Sequence, residues 1–269
     1  MLKHWREALK FLRCDASFRK IVFYSEGPAS WIHLGPIAHS LLHDFGQSLS
    51  YLTSSEADPG LQLEHENFMA FCVGAGTALT MLFKSIDTDV FIMTTPDLEN
   101  FHLKRSLHPA HYIYVHHSMV SMHMIYRPEA FDHFDTIFCT GPHHIVETRR
   151  HERLKNKPQK NIVAHGYGRL DQILQNQGKY LTEFGIDDST HNDRLHILIA
   201  PTWGSSGLIE NAGILLVQSL LNAGLKVTLR PHPETLKHTP RSIEEISAIT
   251  SQDPSFHLEL DVSSMNSFY

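Results

Sequence analysis

Cysteine is scarce in this chain: Cys14, Cys72 and Cys139 are the three in 269 residues, far apart and odd in number. No CxxC pair offers a zinc knuckle and no even framework offers a disulfide set, so a reducing, cytosolic setting is expected. No apolar run approaches the roughly 18 residues of a membrane span, and no signal peptide opens the chain. The formal charge of −6, without a basic stripe, argues against nucleic acid as a partner. Short-period repeats and low-complexity tracts are absent as well. What remains is a folded globular chain, 42% hydrophobic, long enough for one large domain or two of ordinary size.

Histidine is the abundant exception, with 21 copies. The opening run MLKHWREALKFLRC places Leu2, Trp5, Leu9 and Leu12 near one helical face, with Lys3, Arg6, Lys10 and Arg13 largely elsewhere. Such a helix either packs on its domain or lies on an anionic membrane surface, and packing is the commoner outcome. Strands are predicted at 19–26 (RKIVFYSE), 49–52, 89–94 (DVFIMT), 112–116, 134–140 (FDTIFCT) and 161–164, and 68–73 also fits one. Helices are predicted at 31–45, 75–84 and 142–153; Gly35-Pro36 should bend the first or mark its start, and Pro142 should open the last. After the hydrophilic stretch 185–194 come strands at 196–200, 226–230 and 256–260, with helices at 208–222, stopped by Gly224, and at 242–250. Strand, polar turn, then helix is the signature of parallel α/β layers. Two Rossmann-like domains are expected, 1–165 and 166–269.

In open α/β sheets ligands sit beyond the carboxyl ends of the strands. The run HYIYVHHSMVSMH (111–123) reads as a buried strand whose last residues leave the sheet and point His116 and His117 into open space. An imidazole there exchanges protons near neutral pH, and His116 is the expected catalytic base. Other strand ends carry TTPD, CTGPHH, AHGYGR, APTWGSS and RPHPE. Arg230 and His232, stiffened by Pro231 and Pro233, suit phosphate oxygens. Thr202, Ser205 and Ser206 precede a helix whose N–H groups attract anions, unless a serine simply caps it. His143-His144 reads as a solvated first helical turn, and Asp132 and Asp135 as turn and surface residues. The histidine pairs, with His102, His108, His111 and His123, lack an HExxH pattern or acidic partners at ligand spacing, so neither a metal site nor a cofactor is expected.

HYIYVHHSMVSMH, FDTIFCTGPHH, HGYGRLD, LIAPTW and LRPHPE, in that order, resemble the CDP-glycerol glycerophosphotransferase family of teichoic-acid-type polymerases. The resemblance covers roughly residues 85–260, best in the last three motifs. It implies an α/β, GT-B-like fold: an N-terminal Rossmann-like acceptor domain (1–165) and a C-terminal donor-nucleotide domain (166–269). It also implies a base at His116 and donor phosphate contacts from Arg169, Thr202, Ser205, Ser206, Arg230 and His232. The implied partners are CDP-glycerol or a related CDP-alditol and a polymer or lipid-linked acceptor, met in the cytoplasm or at the inner face of the membrane. Two departures stand out. His117 replaces the family's glycine and SMVSMH its Pro-Lys element, which makes His117 an alternative base. The chain also ends in MNSFY (265–269), short of the family's Ser-Asp-aromatic-Ser-type loop, so a C-terminally truncated second domain is expected. Rival readings are a GT-B sugar-nucleotide glycosyltransferase or epimerase, and an inactive fragment that only binds; fold alone does not separate them.

Overall fold

The computed structural model describes residues 2–100, 103–174 and 195–260. His102, the stretch 185–194, residues 265–269 and the side chain of Leu2 lie outside the described set. Two compact units divide the chain, Met1–Asn176 and Gln177–Tyr269.

Unit 1 runs α1 (Leu2–Arg13), α2 (Ala16–Arg19), β1 (Ile21–Ser25), α3 (Pro28–His43), β2 (Leu49–Thr53), a 3₁₀ turn (Pro59–Gln62), β3 (Phe68–Cys72) and α4 (Thr77–Ser85). It continues with β4 (Val90–Met93), β5 (His111–Val115), α5 (Met122–Ile125), β6 (Thr136–Cys139), α6 (Pro142–Lys155), β7 (Asn161–Ala164) and α7, helical over 168–174. The seven strands are all parallel, in the order β3-β2-β1-β4-β5-β6-β7. β1 shows why such a sheet needs so apolar a sequence. Val22 and Tyr24 pack into one layer and Phe23 into the other, all three buried. A strand covered on both faces has no solvent side on which to place charge. Strand order reverses between β1 and β4, so the loops leaving those two strands diverge and open a crevice.

α1 packs on the domain: Ala8 and Phe11 enter the core beside β3 and α4, while Arg6, Lys10 and Arg13 stay exposed. α3 starts at Pro28 and runs on through Gly35-Pro36. Pro36 removes one helical N–H, yet the buried face Leu34, Ala38 and Leu42 holds the helix together. Gly35 lets the Trp31 indole close in, since an added Cβ would stand 2.9 Å from that ring.

Unit 2 contains β8 (His196–Ile199), α8 (Leu208–Asn222), β9 (Lys226–Leu229), α9 (Pro233–His238), α10 (Pro240–Thr250) and β10 (Phe256–Leu258). Its described strands form a parallel sheet ordered β10-β9-β8. Ile199, Ile209, Val217, Val227, Leu229 and Ile246 fill its core. Gly224, at φ +76°, ends α8 by donating its N–H to Leu221 O. α9 escaped the sequence reading because RPHPE looks like a rigid loop; Pro233 instead opens a helix. Among the described residues no helix is long and apolar enough to cross a membrane.

Candidate active site

His116 follows β5 directly, and its backbone N–H still bonds Phe138 O at 3.2 Å. Its side chain does not reach open space. The residue is 2% exposed, its ring stacks on His144 at 3.9 Å between centroids, and neither ring nitrogen meets a hydrogen-bond partner. Burial, then the neighbouring His144, His117 and His143, push its pKa down to about 2. The reason is parity. Tyr112, Tyr114 and His116 share one face of a period-two strand, and that face is the aromatic core around Phe131. The alternation was there to be read in HYIYVHH.

His144 is fully buried, contrary to the expected solvated turn. Its Nε2–H donates to Val120 O at 2.8 Å, which leaves Nδ1 as acceptor for the Thr140 hydroxyl at 3.1 Å. Only His143 of that pair is exposed. Asp132 and Asp135 are structural anchors rather than free surface residues. Asp132 holds His151 at 3.0 Å and Lys157 at 2.8 Å; Asp135 holds Arg105 at 3.0 Å and accepts the Tyr112 N–H at 2.7 Å.

His117, beyond the end of β5, is half-buried. Its Nδ1 lies 3.0 Å from Thr94 O, at the end of β4. A carbonyl only accepts, so Nδ1 carries the proton and Nε2 keeps its lone pair. The Tyr126 hydroxyl stands 3.4 Å from Nε2, a long contact, and Tyr114 OH lies 3.2 Å from Nδ1. Burial lowers the pKa of His117, while the Thr94 bond opposes that shift. Tyr167, on the loop after β7, donates to the His117 carbonyl at 3.3 Å and tilts over the His33 ring at 5.5 Å. His33, from α3, lies 6.1 Å from His117. Burial, then His117 and Arg169, hold its pKa down to about 4. Arg169 therefore belongs with the unit 1 imidazoles. Four segments distant in sequence thus meet beyond the carboxyl ends of β4 and β5. His33 and Tyr126 carry no local motif, and no sequence signal singles them out.

Beside this cluster, at the strand-order reversal, a cavity of about 660 Å³ is lined by Tyr24, Glu26, Ser54, Gly76, Thr95 and Asp97. Burial raises the pKa of the Glu26 carboxyl.

The remaining expected residues gather in unit 2, at the carboxyl ends of β8 and β9. Thr202, Ser205 and Ser206 are exposed on the loop before α8, and neither serine caps that helix. Gly207 takes the cap position without a side-chain bond, so the first N–H groups of α8 face the loop. Arg230 is half-buried, and its backbone N–H bonds Ile199 O at 2.9 Å. His232 caps α9, its Nδ1 accepting the Glu234 N–H at 3.1 Å. Trp203 stacks on His238 at 5.4 Å and more distantly on His232 at 6.2 Å.

Neither family models nor curated protein sequences match the chain. Solved structures do. UDP-GlcNAc 2-epimerase from Methanocaldococcus jannaschii superposes with TM-score 0.52 and 14% identity over 93% of this chain and 74% of its own. The wall teichoic acid polymerase TagF, as a variant, superposes with TM-score 0.55 and 13% identity over 100% of this chain and 72% of its own. UDP-GlcNAc 2-epimerase from Neisseria meningitidis, bound to UDP-GlcNAc, gives TM-score 0.54 and 10% identity over 93% and 74%. At such identities the likeness is one of fold. The fold is GT-B-like. That agrees with two parallel α/β units whose polar residues collect at strand carboxyl ends.

Proposed function

We propose that this protein transfers glycerol phosphate, or a related alditol phosphate, from a CDP donor to a hydroxyl of a surface polymer or lipid-linked acceptor. Unit 1 serves as the acceptor half and unit 2 as the donor-nucleotide half. The observation that carries the reading is His117: a neutral imidazole, oriented by the Thr94 carbonyl, whose basic atom Nε2 has only the long contact to the Tyr126 hydroxyl at 3.4 Å. The base role therefore goes to His117. His116, sealed against His144, positions the strand end behind it.

In this mechanism the acceptor oxygen attacks the β-phosphorus of the donor while its proton passes to His117 Nε2. The bond from β-phosphorus to the bridging oxygen breaks, and CMP departs. Arg230 and the first N–H groups of α8 meet the phosphate charge, the larger share of catalysis in phosphoryl transfer. Thr202, Ser205, Ser206 and His232 add donors along the phosphates, and Arg169 acts near His33. The crevice lined by Glu26, Ser54, Thr95 and Asp97 offers hydroxyls and carboxylates to a polyol.

A GT-B sugar-nucleotide epimerase is the second reading, favoured by epimerase structures that superpose as well as the polymerase does. The two separate in a binding and turnover assay. The proposal expects CDP-glycerol to bind, CMP to be released, and UDP-GlcNAc to compete weakly. Tight UDP-GlcNAc binding with no response to CDP-glycerol would replace it with the epimerase reading.

A further inference from the structure

Away from these residues, three side chains of different donor chemistry converge on the rim of unit 1. His4 comes from α1, Glu56 from the loop after β2, and Cys72 is the last residue of β3. Their imidazole nitrogen, carboxylate oxygen and sulfur all lie within 4.8 Å of one another. We propose that His4, Glu56 and Cys72 bind a zinc-class divalent ion.

The turn after β3 is shaped to admit the imidazole. Gly74 has φ +64°, and a Cβ there would stand 2.1 Å from His4 Nδ1. Glycine is thus required both by the backbone and by the ring seated against it. Zinc–sulfur and zinc–nitrogen bonds of about 2.3 and 2.0 Å set neighbouring donors about 3.5 Å apart. Closing this triangle takes movements of about 1 Å, within reach of the exposed Glu56 side chain. Lys3 Nζ sits 2.7 Å from Glu56 Oε1, which leaves the second carboxylate oxygen to the ion. That ion pair is solvent-exposed and holds weakly. Thiolate with imidazole selects zinc-like ions over calcium or magnesium, which prefer all-oxygen sets. Three protein ligands leave a fourth position for water. Binding releases the Cys72 proton to solvent and pins α1 against β3, an edge strand of the sheet.

The test uses the full chain, reduced, stripped with chelator and titrated with Co²⁺. The expected result is one ion per chain, with a thiolate-to-cobalt charge-transfer band and the visible bands of four-coordinate cobalt. Cys72→Ser removes the charge-transfer band, Cys14→Ser keeps it, and His4→Ala and Glu56→Gln each weaken binding at least about tenfold. Zn²⁺ raises the Tm of the wild type but not of His4→Ala. A wild type without the band, or a Cys72→Ser variant that keeps it, overturns the site. Should Cys72→Ser fail to fold, unchanged Co²⁺ affinity in both His4→Ala and Glu56→Gln overturns it equally.

Discussion

At His117 a single hydrogen bond decides what the residue can do. The Thr94 carbonyl fixes the proton on Nδ1, so Nε2 is the basic atom, and the loss of that atom has a definite expected cost. His117→Ala should lower kcat by about 10²–10⁴-fold with Tm nearly unchanged, as checked by CMP release and thermal melting. His116 should behave in the reverse manner. Its folded-state pKa lies below the unfolded value, so the unfolded chain binds the extra proton. The associated stability is whole above about pH 6.5 and is lost as pH falls below it, by about 1.4 kcal/mol per unit for one histidine. His116→Phe keeps an aromatic ring beside His144 and removes the titration. Urea unfolding at pH 7 and about pH 5 should show a shallower loss in the variant by about that slope.

At the scale of elements, the loop between β2 and β3 holds unit 1 together more than its composition suggests. Asp58 is buried, and its carboxylate accepts from Ser25 Oγ at 2.6 Å, Thr53 Oγ1 at 2.7 Å, Tyr51 OH at 3.2 Å and Gly60 N–H at 2.9 Å. One side chain thereby ties the carboxyl ends of β1 and β2 to the following 3₁₀ turn. Asp58→Ala leaves the Tyr51 hydroxyl and the Gly60 N–H without their acceptor, with Ser25 falling back on Gly27 O, and should cost about 2–3 kcal/mol, read as a lower urea midpoint at unchanged m-value. Gly60 sits where a Cβ would stand 2.5 Å from the Tyr51 ring and 2.9 Å from Trp31. Gly60→Ala should therefore destabilise by about 1–3 kcal/mol through overpacking, measurable in the same titration. In sequence this segment, SSEADPG, is an ordinary polar loop. The Asp-Pro-Gly turn chemistry of Asp58 is visible there, but its burial depends on Trp31 and Tyr51 closing over it.

At the scale of the whole molecule, the proposed roles divide between the two units, and mutation should separate them. Arg230→Ala should weaken CDP-glycerol binding at least about tenfold, the loss of a charge-assisted phosphate contact, whereas His117→Ala should leave donor Kd unchanged. Isothermal titration with each variant checks this, and equal loss of affinity in both would contradict the division. The sequence by itself determined the parallel α/β layering, because strands covered on both faces must be continuously apolar and must stop at polar turns. It also marked the strand ends where Arg230, His232 and the serine loop gather, since Pro and Gly punctuate the chain there. Tertiary structure decided the rest. The alternation in HYIYVHH groups His116 with Tyr112 and Tyr114, but only packing shows that this face is the sealed core and that His117 stays half-buried. Only the fold draws His33, Tyr126 and Tyr167 around that ring, since contacts between residues so far apart along the chain leave no periodic trace in it.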